Sequence, residues 1–127
     1  MFDEADPMLR RVRALALAFP EAAEKVSHGC PAFYTKKVFA YYGGSVKVGG
    51  VYQRHEQSVV VLLDPDERAA LLRDDRCYVP AYLGPYGWIG VDLDDGTDWD
   101  EIRELLDASY RRTAGPRRVA KLDAGRP

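Results

Sequence analysis

Five consecutive apolar residues, Val59 to Leu63 within SVVVLL, constrain the fold of this chain more than any other stretch. Along a strand, neighbouring side chains point to opposite faces, so such a run buries both. It belongs in the middle of a sheet, with a helix covering at least one side.

The sequence supplies helices to do so. Asp6-Pro7 opens the first, with Asp6 accepting from free amides at the helix end and Pro7 losing nothing at the first helical position. Its inward stripe is Leu9, Val12, Ala16 and Phe19, while Arg10, Arg11 and Arg13 fall outside it and Pro20 ends it. Asp64-Pro65 repeats the opening, and Glu67 stands where it completes a capping box for a helix from about Pro65 to Arg73. Asp98 and Glu101 form a third capping signal, ahead of a stripe made by Trp99, Ile102, Leu105, Leu106 and Tyr110, and Gly115-Pro116 stops that helix.

Between the helices lie strand-like runs, AEKVSH, AFYT, VFAYY, SVVVLL, CYV and WIGVDL. A helix, a meander of strands, a short inserted helix, final strands and a closing helix make an α+β domain with an antiparallel sheet of about five to six strands. Residues 1–115 are expected to form this single domain and residues 116–127 a basic, frayed tail. The chain has 127 residues, 46% hydrophobic and 30% charged, enough for a core without disulfide or metal staples. Cys30 and Cys77 are read as free thiols, no apolar run reaches the length of a membrane helix, and the acidic MFDEADPM start does not read as a secretory signal. A cytoplasmic location is expected.

Charge is uneven. Residues 111–127 carry six Lys/Arg against one Asp, which is +5, and the net charge of −2 therefore leaves −7 for residues 1–110. Counterion release drives non-specific DNA binding, so an acidic body of this kind predicts weak affinity for nucleic acid at most.

The stretch HGCPAFYTKKVFAYY resembles the HG-x-P-x-F...K-x-FA signature of the MmcQ/YjbR family, and YLGPYGWIGVDL and DWDEIRELLDASYRRTA resemble its later blocks. The likeness runs from about Asp6 to Thr113. It implies a CyaY-like two-layer sandwich of the kind shared with frataxins, and it implies DNA as the partner, through a double wing. One departure is that Thr35 and Lys36 precede Lys37 where the family usually places Gly.

On this resemblance the first wing is the hairpin Phe33 to Tyr42 with its turn at Lys36. Lys36 and Lys37 would meet phosphates, and Tyr34 and Tyr41 would stack on bases. Alternation places Lys37, Phe39 and Tyr41 on one face of the second strand. The second wing is Gly43 to Ser58, whose two glycine pairs flank Val46-Lys47-Val48, with Lys47 and Arg54 as phosphate contacts. Neither glycine pair fits a nucleotide-cradling pattern.

Two other readings are of different classes. A small-molecule-binding or protective protein would use a pocket formed by His28, Lys37, Tyr82 and Trp88 at the sheet margin. A frataxin-like weak divalent-cation binder would use Asp92, Asp94, Asp95, Asp98, Asp100 and Glu101, although helix capping accounts for Asp98 and Glu101. His28, Cys30, His55 and Cys77 lack the local spacing of a zinc site, and no nucleophile with its base and orienting acid is recognisable. The expectation is a protein without catalytic residues, metal or cofactor, acting as a monomer or weak homodimer.

Overall fold

The computed structural model describes residues 2–125. In chain order the elements are α1 (Pro7–Leu17), β1 (Ala23–Ser27), β2 (Cys30–Tyr34), β3 (Val38–Val48), β4 (Val51–Leu62) and α2 (Pro65–Leu71). β5 (Cys77–Tyr78), a single 3₁₀ turn (Gly84–Tyr86), β6 (Trp88–Asp92), α3 (Trp99–Thr113) and α4 (Pro116–Ala124) complete the chain. The six strands form one sheet in the order β1-β2-β3-β4-β6-β5, and the pairings are antiparallel. No helix among the described residues is long and apolar enough to cross a membrane.

The helix starts are those the sequence predicts. Asp6 accepts from the Met8 amide, Asp64 from the amides of Asp66 and Glu67, and Asp98 from those of Asp100 and Glu101. Helices α1 and α3 bury Leu9, Val12, Ala16, Ile102, Leu106 and Tyr110 against the sheet residues Phe33, Phe39, Val59, Val61, Ile89 and Val91. The apolar run thus lies in β4 up to Leu62, flanked by β3 and β6.

A bulge reshapes the second strand of the first wing. Phe33 pairs with Ala40 and Tyr34 with Val38, leaving Phe39 as the extra residue. Phe39 consequently joins Ala40 in the core beneath the helices, where its ring meets Phe19 at 5.8 Å and Tyr110 at 5.3 Å. Tyr41 instead packs its ring against Trp88. The line of Lys37, Phe39 and Tyr41 predicted from strict alternation is therefore broken. Ser109 of α3 bridges β3 and β4 beside this irregularity, donating to the Phe39 carbonyl and accepting from the Leu62 amide at 2.9 Å.

Two hairpin tips are closed by two-residue turns with positive φ at both positions, His28-Gly29 (53° and 78°) and Gly49-Gly50 (59° and 81°). This is the twist-matched geometry of tight hairpins. The second turn ends a long ribbon, because beyond an irregularity at Gly43 the strands β3 and β4 pair from Gly44 and His55 to Val48 and Val51. The loop-like Gly43 to Ser58 segment is thus mostly an ordered two-stranded arm.

Within the tail expected to be frayed, Pro116–Ala124 form α4, and residues 126 and 127 lie outside the described residues. Arg117 donates two hydrogen bonds to Glu21, Arg118 adds a third, and Lys121 lies 3.6 Å from the same carboxylate. Arg111 binds Asp123 at 2.7 Å, and Leu122 packs on the core. Charge pairing and one apolar contact order a segment whose composition reads as solvated.

Candidate functional site

Where the arm leaves the sheet, β2 has ended and the edge of β3 lies open. The segment Pro80–Leu83 crosses to it, and the Ala81 amide donates to the Ser45 carbonyl at 2.7 Å. Between this segment, the His28-Gly29 turn and the base of the arm lies a cleft of about 270 Å³. Its floor is Tyr41 and Val60, a cross-strand pair. Pro80 and Leu83 form an apolar wall, and Ser27, His28, Cys30, Ser45 and Arg54 supply polar atoms around them.

Tyr82 stands at the mouth of this cleft. The Leu83 amide donates to the Ala81 carbonyl at 2.7 Å, and Tyr82 between them has φ of 65°. An i to i+2 bond with a positive central φ marks the rarer, strained γ-turn, and a bulky residue there is an outlier. The Tyr82 side chain is nevertheless 75% exposed, stacked on Tyr52 of the arm at 6.0 Å with the two hydroxyls hydrogen-bonded. That hydroxyl contact raises the Tyr82 pKa. Lys47 sits over the other ring of this pair, 5.5 Å from the Tyr52 centroid.

Beneath the sheet surface next to the cleft, Tyr78 fills the space left by two glycines. A Cβ at Gly90 would overlap the Tyr78 ring and one at Gly44 its hydroxyl. The ring stacks on His55 at 3.9 Å, and its hydroxyl bonds the buried Ser58 at 2.7 Å. Burial holds the Tyr78 phenol well above its ordinary range. His55 Nδ1 lies 2.7 Å from Asp92, an orienting pair that sequence reasoning missed. Nothing local signals it, since Asp92 pairs across β4–β6 with Ser58, three residues beyond His55 along β4.

The residues predicted for a double wing are not brought together. Lys36 and Lys37 are exposed in the β2–β3 turn, whereas Lys47 lies near the far end of β3. Ten residues of strand at roughly 3.3 Å each put about 33 Å between these lysines. Tyr34 already carries the Lys25 ammonium over its ring at 4.7 Å, and Tyr41 is half-buried against Trp88, with its phenol pKa raised by that burial. The predicted contacts fall into separate groups, Tyr34, Lys36 and Lys37 at the β2–β3 turn and Lys47 and Arg54 on the arm.

Of the predicted pocket, His28 and Tyr82 do face the same cleft, together with Arg54 and Tyr41. Lys37 lies at the other end of β3, and Trp88 reaches the cleft only through its contact with Tyr41, so neither lines it. The positive φ of His28 is required by its hairpin turn, and the imidazole is exposed. Cys30 packs beside Gly43, and both cysteines are free. Burial pushes the Cys77 thiol up to about 11.

The acidic run is divided among separate partners. Asp92 binds His55, Asp94 accepts from the Gly96 amide, Asp98 caps α3, and Glu101 binds Arg76 at 3.0 Å. No group of three or more potential metal ligands occurs among the described residues.

Comparison with known proteins agrees with this architecture. A family model described as YjbR matches residues 17–112. A crystal structure of the Deinococcus radiodurans protein DR2400, carrying the DUF419 domain, is similar to this chain with a TM-score of 0.60 and 16% identity. The similarity covers 96% of this chain and 92% of that one, and at such identity it speaks for the fold alone. No curated protein matches.

Proposed function

The chain belongs to the YjbR family, and from that premise we propose that it is a small-ligand-binding protein, not an enzyme, whose site is the cleft beneath Tyr82. All residues lining this cleft fall between Ser27 and Leu83, inside the matched segment. The observation that carries the reading is Tyr82 itself: a large aromatic side chain held in a strained turn yet left 75% exposed over a cavity. Strain of this kind persists only where the surroundings enforce it, and it concentrates at ligand clamps and active sites. The protein would act in the cytoplasm as a monomer or weak homodimer. A thermal-shift screen of small aromatic fragments tests the proposal. At least one fragment should raise the melting temperature of the wild type and not of Tyr82→Ala; fragments that stabilise both equally would refute the role of Tyr82.

A second reading, the DNA binding associated with the family, is favoured by one corner of the sheet. Lys25 lies over the Tyr34 ring there, the exposed Lys36 and Lys37 follow in the adjoining β2–β3 turn, and none of the three pairs with a carboxylate among the described residues. This would be a single basic corner in place of a double wing. It predicts DNA binding at about 150 mM salt that falls steeply as salt rises and is lost in Lys36→Ala/Lys37→Ala. Affinity no better than that of an unrelated acidic protein rules it out.

A further inference from the structure

Building on the cleft reading, we infer that the ligand is a small planar anion, seated on the Tyr41–Val60 floor beneath Tyr82 with its negative group on Arg54. Three observations lead there. Among the described residues, those lining the cleft include no Asp or Glu, although the chain has 20 of them. Acidic residues gather instead around a second cavity that shares Cys30, Gly43 and Arg54 with the first and adds Asp3, Asp6 and Glu56.

Among the described residues, Arg54 is the only Lys or Arg in the cleft lining. Its guanidinium makes no hydrogen bond among the described residues, unlike Arg68 and Arg76, whose donors are taken by carbonyls or carboxylates. Its one ion-pair partner, Glu56, stands 3.8 Å away, and the two side chains are 48% and 70% exposed. That separation is well beyond the roughly 2.7 to 2.9 Å of a strong guanidinium–carboxylate bond, so the planar donor fork remains open to an anion.

The shape supplies the rest. Tyr41 and Val60 are directly opposite in the β3–β4 ladder and give an apolar floor, and Ser27 and Ser45 are among the other lining residues. A volume of about 270 Å³ falls just below the range of drug-sized pockets and suits one or two fused rings. An aromatic carboxylate and an aromatic phosphate share the required chemistry.

The test is an amide chemical-shift titration of the full chain with benzoate, phenyl phosphate, benzamide and benzamidine. At least one of the two anions should perturb the amides around Ser45, Arg54 and Ala81 with a Kd about tenfold below that of neutral benzamide, as expected for a charge-assisted contact. Whichever anion binds more tightly identifies carboxylate or phosphate as the preferred group. Arg54→Gln should abolish the preference while leaving the fold intact, and Tyr82→Ala should weaken every probe that binds. Equal affinity for benzoate, phenyl phosphate and benzamide, or a preference for benzamidine, overturns the ligand class but leaves the cleft as a binding site. A preference that survives Arg54→Gln overturns the role of Arg54. If no probe moves cleft amides in the millimolar range, the cleft reading and this inference both fall.

Discussion

Tyr52 and Tyr82, from the arm and from the loop that crosses to it, stack with ring centroids 6.0 Å apart and planes 23° from parallel. The contact closes one side of the cleft mouth and opposes a strained backbone. Replacing Tyr82 by Gly removes the stack, worth about 0.5 to 1.5 kcal/mol, and relieves a left-handed conformation that costs an L-residue about 1 to 2 kcal/mol. Stability is therefore expected to stay within about 1 kcal/mol of wild type, in contrast to the 3 to 5 kcal/mol typical of a buried aromatic. Urea denaturation measures this, and a loss in the buried-aromatic range would mean the ring is structural.

Gly90→Ala tests the packing of Tyr78. The added methyl overlaps the ring, which cannot yield without giving up its stack on His55 and its bond to Ser58. Overpacking of this kind costs about 1 to 3 kcal/mol. Denaturation of the variant should show that loss, and near-UV circular dichroism should report a displaced tyrosine.

Ser109→Ala leaves the Phe39 carbonyl and the Leu62 amide without their side-chain partner at the point where α3 crosses the sheet. The expected penalty is about 1 to 3 kcal/mol, because the orphaned groups are buried or nearly so. A neutral substitution would mean that water or a backbone shift satisfies both groups.

Acid should release α4 before the core unfolds. Arg117, then Arg118 and Lys121, hold the Glu21 carboxyl at about 2, below its ordinary 4.5. The folded value lies below the unfolded one, so this contribution is complete above pH 4.5 and fades as pH falls towards about 2. Hydrogen exchange in α4 should accelerate over that window. Glu21→Gln should reproduce the effect at neutral pH; unchanged protection would mean that Leu122 and the Arg111–Asp123 pair suffice.

Much of the fold was legible because its signals are local. Asp-Pro pairs cap helices wherever they occur, and the three-and-four spacing of Leu9, Val12 and Ala16 needs no partner to be recognised. What escaped reading depends on register. The bulge that turns Phe39 into the core arises because two residues face one across β2 and β3, and strict alternation cannot anticipate it. The cleft is half legible: the sequence points to His28 and Tyr82, while Arg54 reads as part of a wing and Ser45 carries no local signal. Their meeting depends on the Ala81–Ser45 bond, which ties a loop to a strand far from it in sequence. The ordered α4 went unseen because its anchor, Glu21, lies at the other end of the chain.

The strand order has a kinetic consequence. β1 to β4 pair successively, each with its neighbour in sequence, and β5 and β6 also adjoin, so most of the sheet can zip up through short-range hairpins. The exception is the seam between β4 and β6, which must enclose α2, β5 and the cleft loop before Val61 meets Ile89. The search for that closure is where chain entropy opposes folding most, since contacts distant in sequence slow it. Refolding speed, followed by stopped flow, is thus expected to fall with truncations at Val61 or Ile89 and to be nearly indifferent to changes at Val48 or Val51 on the arm tip.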